Sequence, residues 1–223
     1  MDLITAIRSR KSIRGYTSEP VPREIIEAIL NLTVRAPSAM NSQPWEFTVI
    51  TGEALDAIKQ ENIHNLRNGV PGKPEHLIAI WPKESIYRDR QVGLAKELFA
   101  LMAIEREDME KRIAWLERGF RFFDAPVAIV ITFDRVLGDE GPLTDIGAAM
   151  QTLCLAAVEY RLGTCIEDQG VMYPDVIRKH TGIPDSKKIA VAIALGYPDP
   201  DFPANAVETD RAGVGQNTNW VGY

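Results

Sequence analysis

Arg10, Lys11, Ser12 and Arg14 stand almost side by side, and no acid lies between Asp2 and Glu19 to balance them. Cations this close repel one another, and a bound polyanion relieves that repulsion. The competing reading is a solvated helix end, where basic side chains complement the helix dipole. Arg211 is the only cation after Lys188 and sits among Asp199, Asp201, Glu208 and Asp210. It fits either a local ion pair with Asp210 or Glu208, or a guanidinium kept for a ligand. Spacing alone makes an anion site possible and goes no further.

Other catalytic signatures are missing. His64, His76 and His180 are scattered, and no HExxH spacing exists for zinc. There is no GxSxG nucleophile elbow and no GxxxxGK[ST] phosphate loop. Gly213-Val214-Gly215 starts a dinucleotide-type pattern, but Thr218 takes the last glycine position. Cys154 and Cys165 form no CxxC and read as free thiols of a cytoplasmic chain.

The elements that must position these residues follow from periodicity. A helix is expected over Asp2–Arg10, with Asp2 at its start, and a second from Pro22 to about Val34. The segment 36–44 is a loop by its prolines and small polar residues. Trp45–Ile50 reads as a strand, followed by a helix over about Glu53–Asn65. Between Lys83 and Arg121 mixed charges imply a solvated helix face, with one apolar stripe at Met109, Ile113, Leu116 and Phe120. Pro126–Phe133 and Ile189–Leu195 read as buried strands. Asp145–Arg161 is the most apolar helix, expected at the centre of the fold or in a subunit interface. A short helix over Pro174–His180 stops at Gly182. Residues 198–223 show no periodicity and are expected to lie on another surface. One α+β or α/β domain spanning 1–223 accommodates these elements.

Composition bounds the rest. The chain has 223 residues, and 25 Lys+Arg against 31 Asp+Glu give a net charge of −6. A chain of this mass buries roughly 70% of its surface on folding, enough for a core without staples. The acidic balance argues against general nucleic-acid binding. The longest uncharged run, Ile146–Val158, is too short to cross ~30 Å of hydrocarbon as a helix. No membrane role is therefore expected.

Two motifs carry a resemblance. Arg10-Lys11-Ser12-Ile13-Arg14-Gly15-Tyr16, followed by Pro20-Val21-Pro22, resembles the N-terminal motif of the nitroreductase family. Ala36-Pro37-Ser38-Ala39-Met40-Asn41-Ser42-Gln43-Pro44-Trp45 resembles its second motif, and Gly196-Tyr197-Pro198 with a downstream arginine completes the outline. The resemblance implies an α+β homodimer with a central mixed sheet surrounded by helices, a C-terminal tail reaching the partner, and one FMN in each of two interface sites. Arg10, Lys11, Ser12 and Arg14 would then hold the flavin's phosphate, ribityl chain and pyrimidine edge, with Arg211 at the phosphate. Pro37, Ser38, Ala39, Met40, Asn41 and Gln43 would cover the ring from the other subunit. Gly163–Asp168 follows the central helix and resembles the family segment whose backbone N–H groups face the flavin, although an ordinary helix-exit loop would look similar; there Cys165, Ile166, Glu167 and Asp168 would line the flavin, Glu167 and Asp168 through backbone N–H groups, with Cys165 a packed thiol.

The implied reaction is ping-pong electron transfer from NADH or NADPH to a small-molecule acceptor: a nitroaromatic, quinone or similar flat compound. No catalytic side chain is required, because the flavin carries the chemistry. Two alternatives share the fold: a reductive dehalogenase or flavin-fragmenting enzyme, whose lid could involve Tyr87 and Lys96, and a non-enzymatic flavin-binding dimer.

Overall fold

Four strands pair in the order β1–β2–β4–β3: β1 Glu46–Thr51, β2 Val127–Asp134, β3 Gly163–Glu167 and β4 Lys187–Gly196. The computed structural model describes residues 1–76 and 81–222. Every strand pair is antiparallel, and a parallel pairing appears only as the isolated bridge Ser12–Thr164. The sheet is thus antiparallel rather than mixed. Strands separated by helices suggest parallel crossovers; here, of strands consecutive in the chain, only β2 and β3, joined through the helix Leu143–Glu159, run in the same direction, and β4 lies between them, so no two neighbouring strands are parallel.

The helices lie on both faces of the sheet. They are α1 Leu3–Ser9, α2 Arg23–Thr33, α3 Gly52–Arg67, α4 Ile86–Leu101, α5 Met109–Phe120, α6 Leu143–Glu159, α7 Pro174–Thr181 and the one-turn α8 Val214–Asn217. Strand β2 shows why: Val127, Ile129, Ile131 and Phe133 enter the core under α2 and α6, while Ala128 and Val130 face α3 and α7. That is the two-residue alternation of a strand buried on both sides. On β4 the alternation slips, since Ala190 and Val191 both join the first core. The register between β2 and β4 shifts at that point, as a β-bulge requires.

Helix α6 occupies the expected central position, burying Ile146, Ala149, Leu153, Cys154 and Ala157 against the sheet and α2. Asp2 caps α1 by accepting from Thr5 N at 3.0 Å, and Gly182 ends α7 in the left-handed conformation at φ +73°. Among the described residues no helix is long and apolar enough to cross a membrane.

Two expectations need correction, and one strand was not expected. Residues 163–167 are an edge strand, in a stretch to which the sequence assigned no element. A run of five residues starting with glycine carries too little pattern to be recognised without its partner β4. The stretch 83–121 is two helices, and its charges are not all solvated: Glu117 is buried against Arg67 at 2.6 Å. In α5, Phe120 is buried, but Met109, Ile113 and Leu116 stay 60%, 51% and 43% exposed. Finally, the tail does not leave its own chain at Pro198. Phe202, Ala204 and Val207 pack against Leu94, Leu98 and Trp115. Residues beyond 207 are largely exposed, and Tyr223 lies outside the described residues.

Candidate active site

The N-terminal motif is held in place before any side chain reaches a ligand. Ile13 N donates to Thr164 O at 2.9 Å, tying the segment to the outer edge of β3. Asn205, buried in the tail, accepts from Arg14 N at 2.8 Å and Gly15 N at 3.2 Å, and donates to Gly15 O and Asp199 O. Tyr16 Oη donates to Ile13 O at 2.8 Å, and burial pushes the phenol well above its ordinary pKa. Arg118 donates to Arg14 O at 3.0 Å while its guanidinium stacks over Phe202 and pairs with Asp124 at 2.8 Å. Gly15 has to be glycine, because a Cβ there would fall 2.1 Å from the Phe202 ring.

This scaffold opens a cleft of about 900 Å³. Arg8, Arg10, Lys11, Arg14 and Arg211 all line it, together with Ser12. Among the described residues none of these five cations has a carboxylate within ion-pair distance. Arg211 bonds instead to Thr209 O, Thr209 Oγ1 and Asp210 O, all through one nitrogen. The local ion pair with Asp210 or Glu208 is therefore not formed. In a chain of net charge −6, five unpaired cations around one cavity, against the single lining carboxylate of Glu208, make an anion site.

Arg14 also borders a second cleft of about 570 Å³, where it meets Cys165, Ile166, Glu167 and Asp168. The opposite wall is apolar and comes from α4 and α5, chiefly Phe99, Ile113, Trp115 and Leu116. Along β3, Thr164 turns its carbonyl outward to Ile13. The two-residue period then turns the Ile166 main chain to the same outer edge, beside the cleft. Burial pushes the Cys165 thiol up to about 12, which leaves it protonated and unreactive.

The two carboxyls at this cleft are unusual. Glu167 is buried, and burial pushes it up to about 8, although Oε2 accepts from Gly170 N at 2.9 Å. Asp168 is raised to about 6 for the same reason. Glu167 Oε1 and Asp168 Oδ1 are both buried without a hydrogen-bond partner among the described residues. At neutral pH Glu167 is therefore mostly protonated and adds little negative charge to the cleft.

The loop with Pro37, Ser38, Ala39, Met40, Asn41 and Gln43 borders neither cleft. Ala39 N donates to both oxygens of Asp145, each at 3.2 Å, and Ser42 Oγ reaches Asp145 Oδ2 at 3.4 Å. Met40, Asn41 and Gln43 have φ of +50°, +59° and +46°. The Met40 side chain is fully exposed.

Of the residues singled out from the sequence, the structure brings Arg10, Lys11, Ser12, Arg14 and Arg211 to one cleft and leaves 37–43 apart from it. Sequence reasoning missed Asn205, Arg118 and Arg112, the last on the wall of the second cleft. No local signal marks Asn205 or Arg118, since their partners lie far away in the chain, and Arg112 looks like one more charge on a charged helix until the cleft is seen. Among the described residues no group of His, Cys, Asp or Glu could hold a metal.

An antiparallel sheet between helical layers thus carries, at its edge strand, a basic cleft and a largely apolar one that share Arg14. The chain belongs to the nitroreductase family, whose model, described as Nitroreductase family, matches residues 7–197. It is 32% identical over 216 residues to nitrobenzene nitroreductase of Ectopseudomonas oleovorans, covering 96% of this chain and 95% of that one. It is 29% identical over 226 residues to 4-nitrobenzoate reductase of Pseudomonas putida, covering 100% and 96%. Among solved structures, the FMN and NADPH-dependent nitroreductase NfnB from Sphigopyxis sp. strain HMH superposes with a TM-score of 0.93 at 30% identity over 100% of both chains.

Proposed function

We propose that this chain is an FMN-dependent NAD(P)H oxidoreductase reducing nitroaromatics, quinones or similar planar acceptors by a ping-pong cycle. The observation that carries the reading is the junction at Arg14, where a cleft of unpaired cations meets an apolar cleft. The residues fit the cofactor: a phosphate matches the guanidiniums of Arg10 and Arg211 and the ammonium of Lys11, and a flat ring matches the apolar wall. When bound, FMN supplies two-electron transfer between nicotinamide and acceptor. Its relatives, named as reductases of nitrobenzene and 4-nitrobenzoate, support the acceptor class.

Each residue then has a task. Arg10, Lys11, Ser12 and Arg211 bind the phosphate and sugar chain. Arg14 directs its charge to the ring edge where negative charge develops, a fixed dipole needing no reorganisation. The backbone at Ile166 and Asp168 would hydrogen-bond the ring; by the same two-residue period the Glu167 main chain turns to β4, and its neutral carboxyl would add little negative charge beside the ring. Cys165 packs.

A homodimer completes the reading. The single chain exposes 13345 Å², against about 10,000 Å² expected for a monomer of this mass. The excess, about 3,000 Å² per chain, is on the scale of the largest obligate dimers, whose interfaces reach above ~5,000 Å² counted over both partners. Leu3, Ile4 and Ile7 of α1, exposed at present, would supply part of that surface. Loop 37–43 would cover the partner's ring site, and residues 208–222 would extend over the partner. Two buried free cysteines suit a cytoplasmic location.

The test is an anaerobic absorbance spectrum of the purified protein before and after NADH, then NADPH. A flavin spectrum that either donor bleaches is expected, and a protein that stays colourless with added FMN overturns the reading. Arg211→Ala should weaken FMN retention roughly ten- to hundredfold with the dimer intact by sedimentation. Unchanged retention removes Arg211 from the site.

A further inference from the structure

Helix α5 and its C-cap carry four cations, Lys111, Arg112, Arg118 and Arg121. Three are paired: Lys111 with Asp108 at 3.5 Å, Arg118 with Asp124 at 2.8 Å, and Arg121 with Asp124 at 2.7 Å. Arg112 is the exception, with no carboxylate partner among the described residues. It makes one long bond, from NH1 to Arg106 O at 3.3 Å. Its guanidinium lies 5.2 Å from the centre of the Phe99 ring, which holds the plane steady and leaves further N–H donors unused.

Arg112 lines the second cleft alongside Met109, Ile113 and Leu116. Those three are the large apolar residues of α5 that the chain's own core does not cover. The cleft therefore offers broad apolar walls and one free guanidinium fork. The other titratable groups facing it are Arg14, Cys165, Glu167 and Asp168. In the functional reading Arg14 belongs to the cofactor's edge, the Cys165 thiol stays protonated, and Glu167 is largely neutral. Asp168, raised to about 6, still carries negative charge at neutral pH, so Arg112 is the cation left to hold an anion that enters last.

We propose that Arg112 binds an anionic substituent on the acceptor, so that this enzyme favours aryl carboxylates over neutral arenes of the same shape. This inference rests on the reading of the cleft as an acceptor site. A carboxylate matches the guanidinium fork in two parallel hydrogen bonds, while the ring lies on the apolar wall. The same fork could hold a phosphate of NADPH, so the test separates acceptor from donor.

Steady-state kinetics of the holoenzyme are measured for wild type, Arg112→Gln and Arg112→Lys, with 4-nitrobenzoate and nitrobenzene as acceptors and NADH and NADPH as donors. The ratio of kcat/KM for 4-nitrobenzoate over nitrobenzene should fall roughly ten- to hundredfold in Arg112→Gln, mainly through KM, the size of one charge-assisted contact. Arg112→Lys should recover part of it. A ratio unchanged within about twofold overturns the proposal, as does a collapse of the NADPH-to-NADH ratio in its place. Benzoate, which has no nitro group to reduce, reports binding alone. If wild type reduces neither acceptor but benzoate binding still weakens in Arg112→Gln, the anion subsite stands and the functional reading falls.

Discussion

Between Ser12 and Thr17 the backbone is fastened by partners far along the chain, whereas between Pro37 and Gln43 it is fastened mostly by itself. The first segment is stitched to β3, to the end of β4 and to Asn205 in the tail. The second holds three non-glycine residues in the left-handed region and meets the rest of the chain through Asp145. Left-handed L-residues cost roughly 1–2 kcal/mol each. A chain tolerates such a loop where its shape is useful to something beyond the local packing. In the proposed dimer the first segment would be the half of the site finished within one chain, and the displayed loop the half offered to the partner.

The comparison breaks most easily at Asn205. Asn205→Ala removes four hydrogen bonds and leaves the Arg14 and Gly15 amides without their partner. A loss of about 2–4 kcal/mol is expected in chemical denaturation, together with poorer FMN retention. If stability drops by less than about 0.5 kcal/mol, the N-terminal motif is not held as described.

A smaller effect comes from the carboxyl under the same edge. Glu167 is pushed up to about 8 in the folded chain and returns to an ordinary value when unfolded. Between those two values the folded state keeps a proton that the unfolded chain has lost. Stability therefore falls as pH rises through this window, and the loss is complete above about 8. Glu167→Gln should flatten that slope, adding about 1–3 kcal/mol relative to wild type at the alkaline end. Parallel slopes for both proteins would show that Glu167 titrates normally.

The smallest change in stability belongs to the displayed loop. Asp145→Asn removes the charge that receives Ala39 N and Ser42 Oγ. A loss under about 1 kcal/mol is expected, because the contacts are exposed. Faster hydrogen exchange at the Ala39 amide, with the Ile13 amide unaffected, would sharpen the contrast between the two regions. Equal acceleration at both would abolish it.

How much of this was legible in the sequence follows the same division. The basic motif and the loop are local patterns, and both were found from contiguous residues. The strands β1, β2 and β4 announce themselves through β-branched runs, and α6 through its apolar length. Strand β3 was missed because its identity as a strand comes from β4 and from Ile13. Arg112 and Asn205 were missed for a related reason. An arginine in a charged helix and an asparagine in an irregular tail look ordinary until the fold shows what they face. The stripe Met109, Ile113 and Leu116 was seen as apolar, but its exposure is a property of the cleft and not of the helix.

Strand β3 closes one side of the sheet, and only its first half is covered, by the bridge at Ser12–Thr164. Beyond that bridge its outer main chain faces the second cleft. A bare strand edge is a template on which another chain can pair, and natural proteins blunt such edges to avoid aggregation. In the proposed holoenzyme the flavin ring lies along this stretch and occupies it. A bound ring would then cover the bare half of this edge as well as carry electrons.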